Sequence, residues 1–299
     1  MIVIGTDEAG YGPNYGPLVI TATVWKTNSE DCFSPFAGVL REFGITIDDS
    51  KKIYHGGETL SALETMVRMI FRHLCISEKN YFPASAGSKL DALNGFAELP
   101  LDTDREAVLA GFSTSLATTL NDHDMKIVSA RSRTIFPGEF NHLLEQSGSK
   151  GTLLSDETLK LVLESLVETE NESVLVLCDK HGGRNRYLDL LTEHFDGEFI
   201  QVLDESREKS CYRLRLEDSP IEMRFLAKGD SLLPVALSSM ISKYGRELAM
   251  LRFNEFWQDK IPGLRPTAGY PEDAKRFRKE IAAVQKKLGI ENESIWRNR

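Results

Sequence analysis

The chain has 299 residues, of which 41% are hydrophobic, and its 36 basic and 45 acidic residues give a net charge of −9. No apolar run approaches the ~18 residues of a membrane span, and no secretory signal is visible at the start. The four cysteines are widely separated without a CxxC pair, which argues against structural zinc and a disulfide framework. We therefore expect a cytoplasmic globular protein of one or two domains.

Apolar runs and helical periodicity predict an α/β protein. The predicted elements are, in chain order, strands over 2–6 and 18–25, helices over 59–76, 104–120 and 156–168, a strand over 173–178, a helix over 185–195, three short strands within 198–227, and helices over 231–257 and 272–288. The polar stretch 77–103 is expected to be a long loop or an insertion. Strands followed by alternating helices and strands predict a central mixed β-sheet flanked by helices.

Two acidic residues directly follow the first predicted strand. Asp7 and Glu8 come after the apolar run 2–4 and precede a turn that contains glycine and proline. Adjacent carboxylates repel each other and resist ionisation unless a positive charge lies between them. Mg²⁺ supplies such a charge, because it prefers oxygen ligands and keeps several of its waters. The pair therefore indicates a site for a divalent cation.

Two further carboxylates stand at the ends of predicted elements. Asp179 ends the apolar run 173–178, which is typical of a strand buried on both faces. Sites in open α/β sheets form outside the carboxyl ends of strands, so Asp7 and Asp179 would meet if their strands were neighbours. Asp230 begins the long predicted helix, where an ordinary N-terminal cap is the alternative. As a set, the four carboxylates fit two metal ions, which clamp the attacking and leaving oxygens of a phosphoryl displacement.

The turn after Asp179 carries basic residues and two glycines. Lys180 and Arg184 are candidates to hold a substrate phosphate at the mouth of the carboxylate site. A strand-to-helix turn also needs glycine and polar residues for structural reasons, so both interpretations stay open. A metal-ligand role for His181 is disfavoured, because the hard cation Mg²⁺ prefers oxygen.

Four separated segments resemble, in the same order, the ribonuclease HII (type 2 ribonuclease H) family. They are DEAGYGPNYGPLVITATVW at 7–25, DSKK at 49–52, LVLCD at 175–179 and KGDSLLPVALSSMISKYGREL at 228–248. Gly269 and Tyr270 are placed like the Gly-Tyr pair that precedes the last helix of the family. No single segment is specific, whereas DEAG, DSKK and KGD in this order are.

The resemblance implies a ribonuclease H-like fold and an endonuclease that cleaves the RNA strand of RNA/DNA hybrids, or duplex DNA at embedded ribonucleotides. The products would carry a 5′-phosphate and a 3′-hydroxyl. The implied ligands of two Mg²⁺ or Mn²⁺ ions, and the catalytic residues, are Asp7, Glu8, Asp179 and Asp230. The implied substrate contacts are Gly10, Tyr11, Gly12, Ser50, Lys51, Lys243 and Tyr270. Among these, Lys51 would contact a backbone phosphate and Tyr270 would pack on a sugar near the scissile bond.

One position departs from the family pattern at the expected substrate loop. The Gly-Arg-Gly of the family is here Gly10-Tyr11-Gly12. Both glycines allow the close backbone approach that reads a ribose 2′-hydroxyl, but tyrosine does not replace the five donors of a guanidinium at a phosphate. Two alternatives therefore stay open: a nuclease of the same fold that acts on branched or plain DNA, and a non-catalytic nucleic-acid-binding relative.

The expected domain organisation follows from the same comparison. Residues 1–265 would form the ribonuclease H-like catalytic domain, with insertions near 77–125 and 198–227. Residues 266–299 would form a basic helical extension that packs on it. Between 275 and 299 the chain has eight basic and three acidic residues, which suits a phosphate backbone as well as an ordinary solvated helix face.

Overall fold

A mixed β-sheet runs through the centre of the molecule. The computed structural model describes residues 1–30, 33–42, 58–82, 93–99, 103–167, 172–216 and 218–298. The strands in these ranges are β1 (Ile2–Ala9), β2 (Leu18–Lys26), β3 (Lys126–Ile135), β4 (Val174–Asp179), β5 (Gln201–Glu205), β6 (Lys209–Leu216) and β7 (Ser219–Leu226). They form one sheet in the order β3-β2-β1-β4-β7-β6-β5. β1, β4 and β7 are parallel, whereas the remaining pairs are antiparallel. The predicted α/β fold with a central mixed sheet is confirmed.

Helices cover both faces of this sheet. They are α1 (Ser34–Glu42), α2 (Glu58–His73), α3 (Glu78–Tyr81), α4 (Thr103–Asp122), α5 (Pro137–Ser147), α6 (Lys150–Leu166), α7 (Leu188–His194), α8 (Leu233–Gln258), α9 (Pro271–Leu288) and α10 (Asn292–Ile295). One core packs α2, α4 and α8 on the sheet, and the core on the other face includes side chains of α5, α6 and α7. Among the described helices, none is long and apolar enough to cross a membrane.

The start of β1 is apolar because both of its faces are buried. Val3 belongs to the core under α8, whereas Ile2 and Ile4 belong to the opposite core. A strand buried on both faces loses the alternation of polar and apolar residues. A third core joins α8 to α9 through aromatic residues such as Phe253 and Phe277.

The long helix α8 lies directly against β1. A Cβ atom on Gly5 would come within 2.2 Å of the carbonyl carbon of Pro234, so only glycine allows this approach. The Ser238 hydroxyl donates a hydrogen bond to the Gly5 carbonyl oxygen at 2.8 Å, and the Thr23 hydroxyl donates to the Pro234 carbonyl oxygen at 3.0 Å. These contacts fix the position of α8 along β1, and Ser239, one residue beyond Ser238, thereby reaches the carboxyl end of the strand.

Sequence patterns did not predict some of the elements, and they did not predict how β7 pairs in the sheet. β3, α1 and α5 were not predicted from the sequence. In β3 the buried side chains do not alternate, because its pairing with β2 shifts register between Val24 and Trp25. The three strands expected within 198–227 are present, and β7 pairs with β4 in parallel and thereby extends the sheet. Within the predicted loop or insertion 77–103, residues 83–92 and 100–102 lie outside the described residues, whereas α3 and residues 93–99 are described.

Candidate active site

Asp7 and Asp179 lie side by side at the carboxyl edge of the sheet. β1 and β4 are parallel neighbours, and Thr6 pairs with Cys178, the residues that immediately precede the two aspartates. The condition set by the sequence, that the two strands be adjacent, is therefore met. Glu8 continues β1 beside Asp7, so three carboxyl groups share this edge.

Burial makes ionisation of this cluster costly. Desolvation raises the pKa of Asp7 to about 6, and Asp179 adds to the rise, whereas a hydrogen bond from Ser239 and the charge of Lys243 oppose it. Desolvation, followed by the charges of Asp7 and Asp179, raises the pKa of Glu8 well above its usual value. The cluster therefore concentrates negative charge that lacks adequate neutralisation, and a divalent cation with oxygen ligands fits this donor set.

The metal site itself stays a prediction. In the part of the chain that the structure describes, no three His, Cys, Asp or Glu side chains already converge closely enough to hold a metal ion. The fit to a cation rests on the chemistry of the three carboxyl groups and on the raised pKa values of Asp7 and Glu8.

Asp179 and Asp230 are connected through a tight turn. The Gly229 N–H donates a hydrogen bond to Asp179 Oδ1 at 2.8 Å, and a Cβ on Gly229 would approach Asp179 Cα to 3.1 Å. Asp230 is the next residue, in the 3₁₀ turn Gly229–Ser231, and it is half-buried. Neither this turn nor α8 has a side-chain cap, so the capping alternative for Asp230 is wrong.

The loop after β1 packs against the turn after β4. Gly10 has φ +90°, and a Cβ there would lie 2.4 Å from the Pro17 carbonyl oxygen, whereas a Cβ on Gly12 would meet no atom within 4 Å. The Tyr11 hydroxyl lies 2.9 Å from the position that a Cβ of Gly182 would occupy. Burial and the charge of Glu8 raise the pKa of Tyr11. Tyr11 thus fills the space between the two loops instead of extending into solvent.

The two basic candidates of the turn after β4 point to different places. Arg184 donates a hydrogen bond to the Thr152 hydroxyl at 3.1 Å, and its charge lowers the pKa of Tyr11, so it lies near Tyr11. The Lys180 ammonium donates to the Ser206 carbonyl at 2.7 Å and to the Ser210 hydroxyl at 3.0 Å. Lys180 is therefore used to join β4 to the β5–β6 hairpin, and the structure does not bring it to the cluster.

The remaining candidates lie around the same edge. Lys243 projects from α8 close enough to lower the pKa of Asp7. The Tyr270 side chain is 48% exposed, and the guanidinium of Arg246 lies 5.7 Å from its ring centre. Ser50 and Lys51, with the rest of the DSKK motif, lie outside the described residues.

Three residues of this region were not found from the sequence. The Ser242 hydroxyl donates to the Asp7 carbonyl oxygen at 3.1 Å, and Ser238 fixes Gly5 one turn earlier. Their i, i+4 spacing, which places both hydroxyls on one face of α8, was the available signal. Arg297 reaches the loop after β1 from the far end of the chain, and no local pattern indicated it.

His181 has a structural role in this turn. Its ring Nδ1 lies 3.0 Å from the Ser155 hydroxyl, and burial lowers its pKa to about 3. The imidazole is therefore neutral and belongs to the core between β4 and α6.

Comparisons with known proteins give similarity of fold alone. No protein-family model matches the sequence, and no curated protein matches it. Solved structures of type 2 ribonucleases H are similar in shape. RNase HII in its complex with PCNA from Archaeoglobus fulgidus is 16% identical, with a TM-score of 0.46 over 100% of this chain and 95% of that one. Ribonuclease H2 from Pyrococcus horikoshii OT3 is 16% identical, with a TM-score of 0.45 over 99% and 92%. Bst-RNase HIII in complex with Mn²⁺ is 17% identical, with a TM-score of 0.40 over 99% and 66%.

Proposed function

We propose that this protein is a metal-dependent endonuclease of ribonuclease HII type. It hydrolyses the RNA strand of RNA/DNA hybrids, or duplex DNA at embedded ribonucleotides, and leaves a 5′-phosphate and a 3′-hydroxyl. The observation that carries the proposal is the half-buried carboxyl cluster of Asp7, Glu8 and Asp179, in which desolvation raises the pKa values of Asp7 and Glu8. The order of the DEAG, DSKK and KGD motifs in the sequence supports the same function.

The proposed ligands of two Mg²⁺ or Mn²⁺ ions are Asp7, Glu8, Asp179 and Asp230. When bound, such ions lower the pKa of a water nucleophile and stabilise the attacking and leaving oxygens of an in-line displacement. The protein's part is to keep the ligands ionised and oriented. Lys243 and the hydroxyl of Ser239 favour the carboxylate form of Asp7, and the Gly229 N–H orients Asp179.

The proposed substrate contacts surround this cluster. The backbone of Gly10 and Gly12 would read the ribose 2′-hydroxyl, because no side chain stands between it and the substrate. Arg184 would hold a phosphate, since its guanidinium is half-buried beside Tyr11 and makes charge-assisted hydrogen bonds to phosphate oxygens possible. Tyr270 offers an exposed ring to a sugar. Ser50 and Lys51 are proposed as substrate contacts on the basis of the DSKK motif, with Lys51 at a backbone phosphate.

A cleavage assay tests the proposed function. Purified protein with Mg²⁺ or Mn²⁺ is incubated with a duplex that contains one ribonucleotide, with an RNA/DNA hybrid and with plain duplex DNA. We expect nicks at ribonucleotides with extendable 3′-hydroxyl ends, and loss of cleavage in Asp7→Asn and in Asp179→Asn. The matched control is Asp196→Asn, because Asp196 is exposed. Cleavage that survives in both active-site variants would rule out the assignment.

Tyr11 favours one second candidate, a nuclease of the same fold that acts on branched or plain DNA. Without the guanidinium expected at this position, recognition of the junction between RNA and DNA is weakened. The same assay includes a branched DNA substrate. Faster cleavage of branched than of ribonucleotide-containing duplexes would select the second candidate, and Tyr11→Arg should then shift the preference toward ribonucleotides.

A further inference from the structure

Arg297 joins the far end of the chain to the loop after β1. Its side chain is completely buried, and its Nε donates a hydrogen bond to the Pro13 carbonyl oxygen at 3.1 Å. Its Nη2 donates to the Gly10 carbonyl oxygen at 2.5 Å and also to the Pro13 carbonyl oxygen. Two further bonds join Arg297 to Asn14: the Arg297 backbone N–H donates to the Asn14 carbonyl oxygen at 2.8 Å, and the Asn14 side-chain amide donates to the Arg297 carbonyl oxygen at 3.2 Å.

The segment that carries Arg297 is itself anchored. The side-chain amide of Asn141, on α5, donates to the Glu293 and Trp296 carbonyl oxygens at 3.0 and 2.8 Å. Asn141 Oδ1 accepts a hydrogen bond from the Asn298 N–H at 2.7 Å. The ring of Trp296 meets that of Tyr15 edge to face, with centroids 5.1 Å apart. The segment around Arg297 is thus hydrogen-bonded to α5, while the Arg297 side chain is hydrogen-bonded to the loop after β1.

Burying the Arg297 guanidinium carries a desolvation cost. In the described part of the chain Arg297 has no ion pair, its Nη1 has no hydrogen-bond partner, and its charged face lies 4.6 Å from the ring centre of Phe140. Burial and the neighbouring charge of Arg246 lower its pKa. An apolar side chain of similar volume would avoid the desolvation cost of a buried charge. What an apolar side chain lacks is a planar fork of donors, which here binds two carbonyl groups of one loop at once.

The hydrogen bonds from Arg297 restrain the backbone of the loop after β1. They hold the Gly10 and Pro13 carbonyls toward Arg297, and Gly10 is already confined by its positive φ and by Pro17. The conformation between these two anchors is therefore fixed, and with it the backbone of Tyr11 and Gly12.

We propose that Arg297 is a positioning residue, which holds the loop 10–13 in the conformation that presents Gly10, Tyr11 and Gly12 to the substrate. The part that concerns substrate rests on the proposed function, whereas the order of the loop is measurable without any substrate. Arg297 does not touch the substrate; it acts through the loop.

The test compares Arg297→Met, Arg297→Lys and the control Lys126→Met. Lys126 is exposed and pairs with Lys26 at the opposite end of β2 from the site, so its replacement removes the same charge without touching the loop. Amide hydrogen exchange is followed by mass spectrometry in peptides that cover residues 9–16, with peptides from β4 and α8 as internal references. We expect at least about tenfold faster exchange of the loop in Arg297→Met, partial recovery in Arg297→Lys and no change in the control.

Kinetics on a ribonucleotide-containing duplex give the second measurement. A loosened loop weakens binding of the substrate more than the chemical step, so we expect KM of Arg297→Met to rise about tenfold while kcat falls less than about threefold. The lysine variant, which keeps a cationic donor, should recover part of KM.

The outcomes separate the two proposals. Unchanged exchange of the loop in Arg297→Met would overturn the positioning role, and so would equal acceleration of exchange in the loop, β4 and α8 in both Arg297 variants, because Arg297 would then only stabilise the fold. Faster exchange confined to the loop supports the role, even if the wild-type protein cleaves no ribonucleotide substrate. In that case the proposed function fails and the positioning role stands.

Discussion

Replacing Asp7 by asparagine should stabilise the metal-free protein at neutral pH. Folding buries the Asp7 carboxyl group beside Asp179 and raises its pKa from 3.8 to about 6. Between these pH values the folded protein still holds a proton that the unfolded chain has released. The free energy of unfolding of the wild type therefore falls as the pH rises from about 4 through 6. Asparagine carries no charge, so the variant does not show this loss.

The size of the effect follows from the shift in pKa. A pKa that moves from 3.8 to about 6 corresponds to about 3 kcal/mol between the two protonation states. Because the Asp7 carboxyl is half-buried, contact with solvent reduces this to about 2 kcal/mol. Neutral asparagine also relieves Glu8, whose pKa is raised by the charge of Asp7. We expect a rise in Tm of the variant over the wild type of about 4 °C at pH 7.5 and little difference at pH 4.

The assay is thermal or urea denaturation between pH 4 and 7.5 in buffer with a chelator, with Asp196→Asn as the exposed control. With added Mn²⁺, the wild type should become more stable than Asp7→Asn. At about 100 times its Kd a ligand of the folded state stabilises by about 2.7 kcal/mol, and this gain should be largely lost in Asp7→Asn. A wild type that is more stable than Asp7→Asn at pH 7.5 without metal would refute the reasoning, because the cluster would then not be short of positive charge.

Three further predictions concern the close contacts of Gly5, the glycines of the loop after β1, and the role of Lys180. Gly5→Ala should cost about 3 kcal/mol or more of unfolding free energy, measured in urea, because the new Cβ would lie 2.2 Å from the carbonyl carbon of Pro234. Gly10→Ala should cost about 2 kcal/mol through its positive φ and raise KM, while Gly12→Ala, whose Cβ would meet no atom within 4 Å, should change stability by less than about 0.5 kcal/mol; equal effects of the two would contradict the loop geometry. Lys180→Met should lower stability by about 1 to 2 kcal/mol, since its ammonium hydrogen-bonds the β5–β6 hairpin, and leave KM unchanged; a large rise in KM would return it to the substrate contacts.

Most of the sheet that carries the site was predictable from local patterns. β4 is a continuous apolar run up to Cys178, and β1 and β2 consist largely of apolar and β-branched residues, because strands buried on both faces have no solvent-exposed polar face. β3 escaped prediction because a register shift against β2 breaks its alternation. The hairpin and β7 were predicted as strands, but pairing between β4 and β7 joins segments some forty residues apart, and no local pattern specifies such a partner.

For the candidate site, the sequence likewise identified residues by their position along the chain, whereas only the structure showed which of them come together in space. The sequence alone determined that Asp7, Glu8 and Asp179 follow apolar runs, and that glycine and tyrosine occupy the loop that comes next. The tertiary structure decided the rest: that β1 and β4 are neighbours, that desolvation raises the pKa of two carboxyl groups, and that Arg297 closes on the loop across more than 280 residues. The physical reason is that desolvation and long-range hydrogen bonds depend on which distant segments cover a residue, whereas a sequence pattern records only the residue's neighbours along the chain.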